Sequence, residues 1–225
     1  SLAEEAAMLL PSVAAALGAD PTAPDIAQGF ARRWRATGSA AQAIRTALVV
    51  MADHELNASA FAARVTASTG APLSAALLSG LSTLLGPIHG GATLRVRTLV
   101  DSALRDGPRR AVREWLSRGE PLAGFGHALY PDIDPRAAAL LALFELPHGL
   151  GELVDEVRAA SGLAPNIDFA AVALSDAFDL PRDAPFALFA AARTAGWLAH
   201  AMEQALSGRL IRPRARYAGP PLEPL

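Results

Sequence analysis

The apolar positions of this chain fall in long stretches rich in Ala and Leu. Arg and other polar residues interrupt these stretches, but they do not alternate with the apolar residues at every second position. Ala, Leu and Arg are strong helix formers. No stretch shows the sustained alternation of β-branched and polar residues that marks a strand. The pattern therefore predicts an all-α fold, with helices over 3–17, 22–36, 39–55, 58–69, 72–85, 91–105, 108–118, 135–145, 149–161, 166–178 and 184–207.

Several predicted helices have recognisable ends. Ser39 is expected to cap one helix, Asp183 to cap the last one with Pro185 in its first turn, and Gly208 to terminate it. Two segments dense in Gly, Pro and ionisable residues, 120–137 and 209–225, are predicted to be irregular.

Composition narrows the class of protein. Of 225 residues, 52% are hydrophobic and 19% charged, and the net charge is −2, as in a globular protein without a basic stripe for nucleic acid. Cysteine is absent, which excludes disulfides, thiolate metal sites and cysteine nucleophiles. Glu4 and Glu5 precede the first apolar stretch, unlike a signal peptide, and no apolar run suits a membrane span. We therefore expect a cytoplasmic protein that binds neither membrane nor nucleic acid.

Three histidines lie in polar, turn-like surroundings. His54 follows an apolar helix, where the helix dipole favours a cation, so a capping role is the simplest interpretation. His127 stands in the glycine-flanked loop GFGHALY, where a lone histidine is usually just exposed.

The third histidine, His89, stands in GPIHGGAT and is expected to open the helix that starts at Gly90. The dipole there disfavours imidazolium, which predicts a neutral, hydrogen-bond-donating ring suited to stabilising an enolate. Gly90 and Gly91 would remove the Cβ atoms that block the approach of a ligand.

Charged residues add further candidates. Asp168 is predicted in a first helical turn, where acidic residues are common. Arg193 interrupts a helix that is apolar on nearly every face, so its guanidinium needs an anion, either a protein carboxylate or a carboxylate substrate. Arg136 and Arg212 stand beside irregular chain.

The spacing of these residues argues against a metal site. No HxxxH or HxxEH pair lies on one helix face. His200 and Glu203, three residues apart, come nearest and are interpreted as a structural polar pair.

Six segments of the chain resemble motifs of the citrate synthase family and occur in the same order as in that family. They are ADHELNAS, GPIHGGA, GFGHALYPDIDPRA, PNIDFA, ARTAGWLAH and IRPRARY. The resemblance covers roughly residues 40–220. It implies an all-helical homodimer with a large and a small domain. The large domain would take 1–90, the small domain most of 91–190, and 191–225 would return to the large domain as helix and tail.

The resemblance also implies catalytic roles. His89 would donate a hydrogen bond to the thioester oxygen of an acyl-CoA, Asp168 would remove the α-proton, and His127 would polarise the oxaloacetate carbonyl.

Binding roles follow from the same motifs. Oxaloacetate would be held by His54, Arg136, Arg193 and Arg212, with Arg212 reaching into the site of the partner protomer. The backbone of Gly124, Phe125 and Gly126 would contact the adenine of CoA. Acyl-CoA and CoA would be substrate and product, with no permanently bound cofactor.

The sequence departs from the family pattern in several places. It is short, beginning near the LPSVAAALG helix, so an N-terminal part is missing or a second subunit supplies it. Thr93 stands where an asparagine is usual, which would change an amide to a hydroxyl close to the site. Pro131 stands where a basic residue often helps to hold phosphate, and the segment between Arg136 and Asp168 is compressed.

The resemblance implies condensation of acetyl-CoA or propionyl-CoA with oxaloacetate, giving citrate or 2-methylcitrate. Two alternatives stay open at this point. One is cleavage like that of a citryl-CoA lyase, and the other is a catalytically weak partner or binding subunit.

Overall fold

A computed structural model describes residues 1–219 and confirms the all-α prediction for that part of the chain. The last six residues of the predicted tail, 220–225, lie outside the described residues. The helices are α1 (Leu2–Ala16), α2 (Ile26–Arg33), α3 (Gly38–Met51), α4 (Ala58–Ser68), α5 (Leu73–Leu84), α6 (Ala92–Asp106), α7 (Pro108–Ser117), α8 (Pro135–Leu141), α9 (Leu150–Ser161), α10 (Ile167–Ala177) and α11 (Ala184–Ser207).

Each predicted helix is present, and the differences concern helix ends. Helix α2 begins four residues later than predicted because the Asp25 side chain caps it, accepting from Gln28 N at 2.8 Å. Helix α3 ends at Met51, four residues early, and leaves a turn before α4. The predicted Ser39 cap is wrong, because Thr37 occupies the N-cap position and makes no side-chain capping bond.

The buried apolar side chains form two clusters. One joins helices α1–α5, α8 and α11, and the other joins α6, α7 and α9. Helix α10 divides its faces between them: Ile167, Ala170 and Leu174 pack in the first cluster, whereas Phe169 and Val172 pack in the second. The first turn of α10 is therefore fixed where the two clusters meet. The predicted division into domains stays a prediction.

Helix α11 is the central element of the first cluster. It packs against α3, α4 and α5, and Trp197 is 1% exposed. Gly208 ends it in the left-handed conformation, as predicted, whereas Asp183 occupies the N-cap position without a side-chain capping bond. Arg193 of this helix is buried, with 2% exposure.

Within residues 1–219, no helix combines the length and apolar character needed to cross a lipid bilayer.

Candidate active site

A pocket of about 320 Å³ lies where α10 and α11 meet the connections between the other helices. Six of the seven side chains that the sequence analysis proposed for catalysis or oxaloacetate binding line it. They are His54, His89, His127, Arg136, Asp168 and Arg193. The seventh, Arg212, is exposed in the extended tail and does not line this pocket.

His54 lies in the turn between α3 and α4. Its Nε2 is 3.2 Å from the Tyr130 hydroxyl, and its ring meets the His127 ring edge-on at 5.1 Å. Burial lowers the pKa of His54, and the Arg136 charge lowers it further. The surroundings of His54 therefore favour a neutral ring over the cation expected from the helix dipole.

His89 lies in the turn before α6 and rests on a buried hydroxyl. Its Nε2 is 2.8 Å from Ser59 Oγ, which accepts from Trp197 Nε1 at 3.0 Å and donates to Asn57 Oδ1 at 2.8 Å. Ser59 is fully buried. Because Nε2 is occupied by Ser59, Nδ1 is the ring nitrogen left to address a ligand.

Burial, followed by the nearby charge of Arg193, lowers the pKa of His89. The predicted neutral ring is thus supported, but by a different cause. Helix α6 begins at Ala92 rather than Gly90, so His89 precedes its first turn.

The glycines after His89 do not clear space for a ligand as expected. A Cβ at Gly90 would lie 2.5 Å from Leu84 O, and one at Gly91 would lie 2.8 Å from Pro87 Cα. Their lack of side chain lets the turn pack on itself and on the end of α5.

Asn166 joins the His127 loop to the start of α10. Its Oδ1 caps the helix by accepting from Asp168 N at 3.0 Å, and its Nδ2 donates to Gly126 O at 3.0 Å. Backbone bonds from Gly126 N to Ala164 O (2.8 Å) and from Asn166 N to Gly124 O (2.9 Å) complete the junction.

This junction gives residues 124–126 a structural role, since Phe125 is also buried against Phe169. The expected contact of these residues with CoA stays a prediction.

The imidazole of His127 is oriented by its own loop. Its Nδ1 accepts a hydrogen bond from Leu129 N at 3.1 Å, so in the neutral ring the proton is on Nε2. Burial, and then Arg136, lower the pKa of His127. His127 is thus suited to donate a hydrogen bond as a neutral acid.

Asp168 is the basic carboxylate of the pocket. Burial raises its pKa to about 6, and the charges of Arg136 and Arg193 offset only part of that effect. A carboxylate with a pKa near 6 is a stronger base than an ordinary aspartate and is still ionised at neutral pH.

Arg136 is held in place by Asp134. The Arg136 Nε and Nη2 atoms donate to the two Asp134 carboxylate oxygens at 3.0 and 2.8 Å, and Asp134 also accepts from Ile167 N at 3.0 Å. The Asp134 side chain is 1% exposed and the Arg136 side chain 11%. The ion pair therefore fixes one guanidinium edge and leaves Arg136 Nη1 for the pocket.

Arg193 is 2% exposed, and its Nε donates to Met51 O at 3.1 Å. Among residues 1–219, no carboxylate lies within ion-pair distance of its guanidinium. Burial lowers its pKa to about 10, so it stays cationic at neutral pH. Its expected binding of a carboxylate substrate stays a prediction.

Two departures from the family pattern lie away from the pocket lining. Thr93 is 5% exposed and donates to Gly90 O at 3.2 Å, so its hydroxyl closes the turn instead of facing the pocket. Pro131 is exposed in the loop after His127.

Several residues that build the site were not singled out from the sequence: Asn57, Ser59, Tyr130, Asp134 and Asn166. All five lie inside the quoted family segments, which was the available signal. Among the described residues, no group of three His, Asp or Glu side chains is arranged to hold a metal ion.

Taken together, the pocket presents two guanidinium groups, three imidazoles with lowered pKa values and one carboxylate with a raised pKa. Such an arrangement binds a small polycarboxylate and offers both a base and neutral hydrogen-bond donors.

Comparison with known proteins agrees with this site. A family model described as the citrate synthase C-terminal domain matches residues 3–214. Citrate synthase of Haloferax volcanii is 40% identical over 195 residues, covering 80% of this chain and 50% of that protein. The chain thus spans about half the length of the curated relatives it matches.

Solved structures show the same fold. Citrate synthase from Thermotoga maritima superposes with a TM-score of 0.74 at 29% identity, covering 89% of this chain and 60% of that one. Citryl-CoA lyase from Hydrogenobacter thermophilus superposes with a TM-score of 0.77 at 25% identity, covering 91% of this chain and 88% of that one.

Proposed function

Because this chain belongs to the citrate synthase family, we propose that it condenses a short acyl-CoA, acetyl-CoA or propionyl-CoA, with oxaloacetate to give citrate or 2-methylcitrate and CoA. The observation that carries the proposal is the meeting of Asp168, His89 and His127 with two arginines in one pocket.

The first step is removal of a proton from the acyl α-carbon. Asp168 accepts that proton, and its pKa of about 6 makes it a better base than a solvated carboxylate. His89 donates a hydrogen bond from Nδ1 to the thioester oxygen as negative charge develops there. In the structure the Ser59 hydroxyl donates to Asn57 Oδ1. For His89 to donate from Nδ1, that hydroxyl has to turn its proton to His89 Nε2, from which it lies 2.8 Å.

The second step forms the carbon–carbon bond. The enolate carbon attacks the keto carbon of oxaloacetate, and His127 gives its Nε2 proton to the carbonyl oxygen, which becomes a hydroxyl. The proton taken up by Asp168 balances the one that His127 has given, and its return to His127 restores the site. Arg136, Arg193 and His54 hold the substrate carboxylates. Water then cleaves the thioester of the condensed product, releasing the carboxylate and the CoA thiol.

The remaining expectations belong to the assembled protein. A homodimer would bring Arg212 to the partner's pocket, and the Gly124–Gly126 backbone would contact the CoA adenine. No permanently bound cofactor is needed for this chemistry, and we expect it to run in the cytoplasm.

Release of CoA thiol tests the proposal. A thiol-reactive dye reports only CoA, because the chain contains no cysteine. Oxaloacetate-dependent release that is lost in Asp168→Ala supports a synthase, and the faster thioester identifies the acyl group. No release from a folded dimer with either thioester contradicts the proposal.

Cleavage of citryl-CoA is the second candidate. It is favoured by the structural similarity to the Hydrogenobacter thermophilus citryl-CoA lyase, which superposes with a TM-score of 0.77. Citryl-CoA incubated with the protein would give acetyl-CoA and oxaloacetate faster than it is hydrolysed. Binding of oxaloacetate without either reaction would instead indicate a partner or binding subunit.

A further inference from the structure

Helix α11 donates two hydrogen bonds to main-chain carbonyl groups at the start of the turn that carries His54. Arg193 Nε donates to Met51 O at 3.1 Å, and Gly196 N donates to Ala52 O, also at 3.1 Å. Two consecutive residues at the start of the turn, Met51 and Ala52, are therefore hydrogen-bonded to α11.

A third contact on the same helix face is made by a side chain that the proposed reaction does not use. His200 Nε2 lies 3.1 Å from Asp53 Oδ1. Positions 193, 196 and 200 are three and four residues apart, so they share one face of α11. Asp53 is bonded directly to His54 in the chain, so this contact acts at the base of a pocket residue.

The direction of this hydrogen bond is set by Arg64. Arg64 Nη1 lies 3.3 Å from His200 Nδ1 and can only donate, so Nδ1 accepts and the neutral ring carries its proton on Nε2. His200 then donates to Asp53. Arg64 is itself held by Glu203 and by Gln204 Oε1, the latter at 3.0 Å.

The residues of this series of hydrogen bonds differ in the exposure of their side chains. The side chains of His200 and Arg64 are 18% and 19% exposed, whereas that of Asp53 is 54% exposed. The polar pair expected at His200 and Glu203 is thus part of a longer connection from α4 through α11 to the turn.

The turn needs fixing at both ends because its backbone is strained. Glu55 has φ +52°, a conformation that costs energy for any residue with a side chain. On the downstream side, Asn57 Nδ2 donates to His54 O at 3.3 Å. On the upstream side, Asp53 is held by His200.

We propose that His200 is a positioning residue that fixes the His54 turn through its hydrogen bond to Asp53. Only the consequence for oxaloacetate rests on the proposed function. The hydrogen bond fixes the backbone of the turn whatever the pocket binds.

Hydrogen exchange of the ligand-free protein tests this directly. In His200→Leu and Asp53→Ala, the amides of residues 53–57 should exchange about tenfold faster than in the wild type, while those of α6 stay unchanged. Asp53→Asn keeps the acceptor oxygen and should restore slow exchange. His148→Leu, which removes an exposed histidine after α8, is the matched control.

Wild-type exchange in both His200→Leu and Asp53→Ala overturns the proposal. If His200→Leu does not fold, the comparison of Asp53→Ala with Asp53→Asn decides, because Asp53 is largely exposed. Equal protection in those two variants also overturns it.

Oxaloacetate binding by calorimetry separates this idea from the proposed function. In His200→Leu the dissociation constant should rise about tenfold, with the KM for the thioester changed by less than about twofold. If the wild-type protein binds no oxaloacetate, the proposed function is contradicted. The hydrogen-exchange result still tests the positioning role of His200, because it does not depend on oxaloacetate.

Discussion

The side-chain amide of Asn166 donates a hydrogen bond to the Gly126 carbonyl at 3.0 Å, and its oxygen caps the helix that carries Asp168. One side chain thus connects the loop of the proposed acid, His127, with the helix of the proposed base. Asn166 therefore links the segments that carry these two groups, together with the backbone bonds between residues 124–126 and 164–166.

Two substitutions of Asn166 separate the cap from this connection. Asn166→Ala loses both and should lower the free energy of unfolding by about 2 kcal/mol. Asn166→Asp keeps the capping oxygen but loses the donor to Gly126, so about 1 kcal/mol is expected. Urea unfolding at pH 7 measures both, and equal losses in the two variants would contradict the division.

Replacement of Asp168 by Asn should abolish thiol release while stabilising the fold. Because burial raises the pKa of Asp168 to about 6 in the folded protein, the native state binds more protons than the unfolded state between about pH 4 and 6. The free energy of unfolding of the wild type therefore falls as pH rises through that window. Asp168→Asn should avoid that loss, which amounts to about 3 kcal/mol at pH 7.

Urea unfolding of wild type and Asp168→Asn at pH 4 and pH 7 checks this sign. The advantage of the variant should be large at pH 7 and small at pH 4. Asp155→Asn, which changes an exposed carboxylate on α9, should show no comparable difference. An advantage of the same size at both pH values would count against an ionised, buried Asp168.

The rate of condensation should fall as pH is lowered through about 6, because protonation of Asp168 removes the base. Burial lowers the pKa values of the three pocket histidines, so Asp168→Asn is compared with the wild type to assign the limit to Asp168. The pH profile of kcat/KM measures it. A profile that stays flat down to pH 5 would exclude Asp168 as the titrating base.

Arg193→Met should retain the fold and lose oxaloacetate. Methionine fills a similar apolar volume, and no protein carboxylate within residues 1–219 forms an ion pair with the guanidinium. The variant loses the hydrogen bond from Arg193 Nε to Met51 O, so the free energy of unfolding should fall by about 1–3 kcal/mol. Binding of oxaloacetate should weaken by about a hundredfold or more. If the variant is strongly destabilised but its folded fraction binds oxaloacetate as tightly as the wild type, Arg193 is a structural residue and not a ligand-binding one.

Ser59→Ala should reduce both stability and rate. It leaves Trp197 Nε1 buried without an acceptor and removes the partner of His89 Nε2, at a cost of about 1–3 kcal/mol. The fall in kcat should exceed any change in the KM for oxaloacetate. Ser175→Ala, a buried serine bonded to Leu180 O and away from the pocket, is the control and should retain kcat.

Much of the fold could be predicted from local information. The eleven helices of residues 1–219 are predictable because their residues favour the helix through contacts within a few positions. Helix ends were less predictable, since Thr37 rather than Ser39 precedes α3 and the turn at 52–57 shortens that helix. The position of a helix end depends on tertiary contacts of the residues that follow it, such as the contact of His200 with Asp53.

For the site, the sequence by itself determined which residue types stand where: the histidines, Asp168 and the arginines of the family segments. Only the tertiary structure decided that Arg136 is paired with Asp134 while Arg193 has no such partner, that Gly90 and Gly91 serve the turn, and that His54 is surrounded as a neutral ring. The physical reason is that a side chain's identity is local, whereas burial, electrostatic neighbours and hydrogen-bond partners come from segments far apart in the chain. The pKa of Asp168 follows from that burial and exists only once α10 and α11 are packed together.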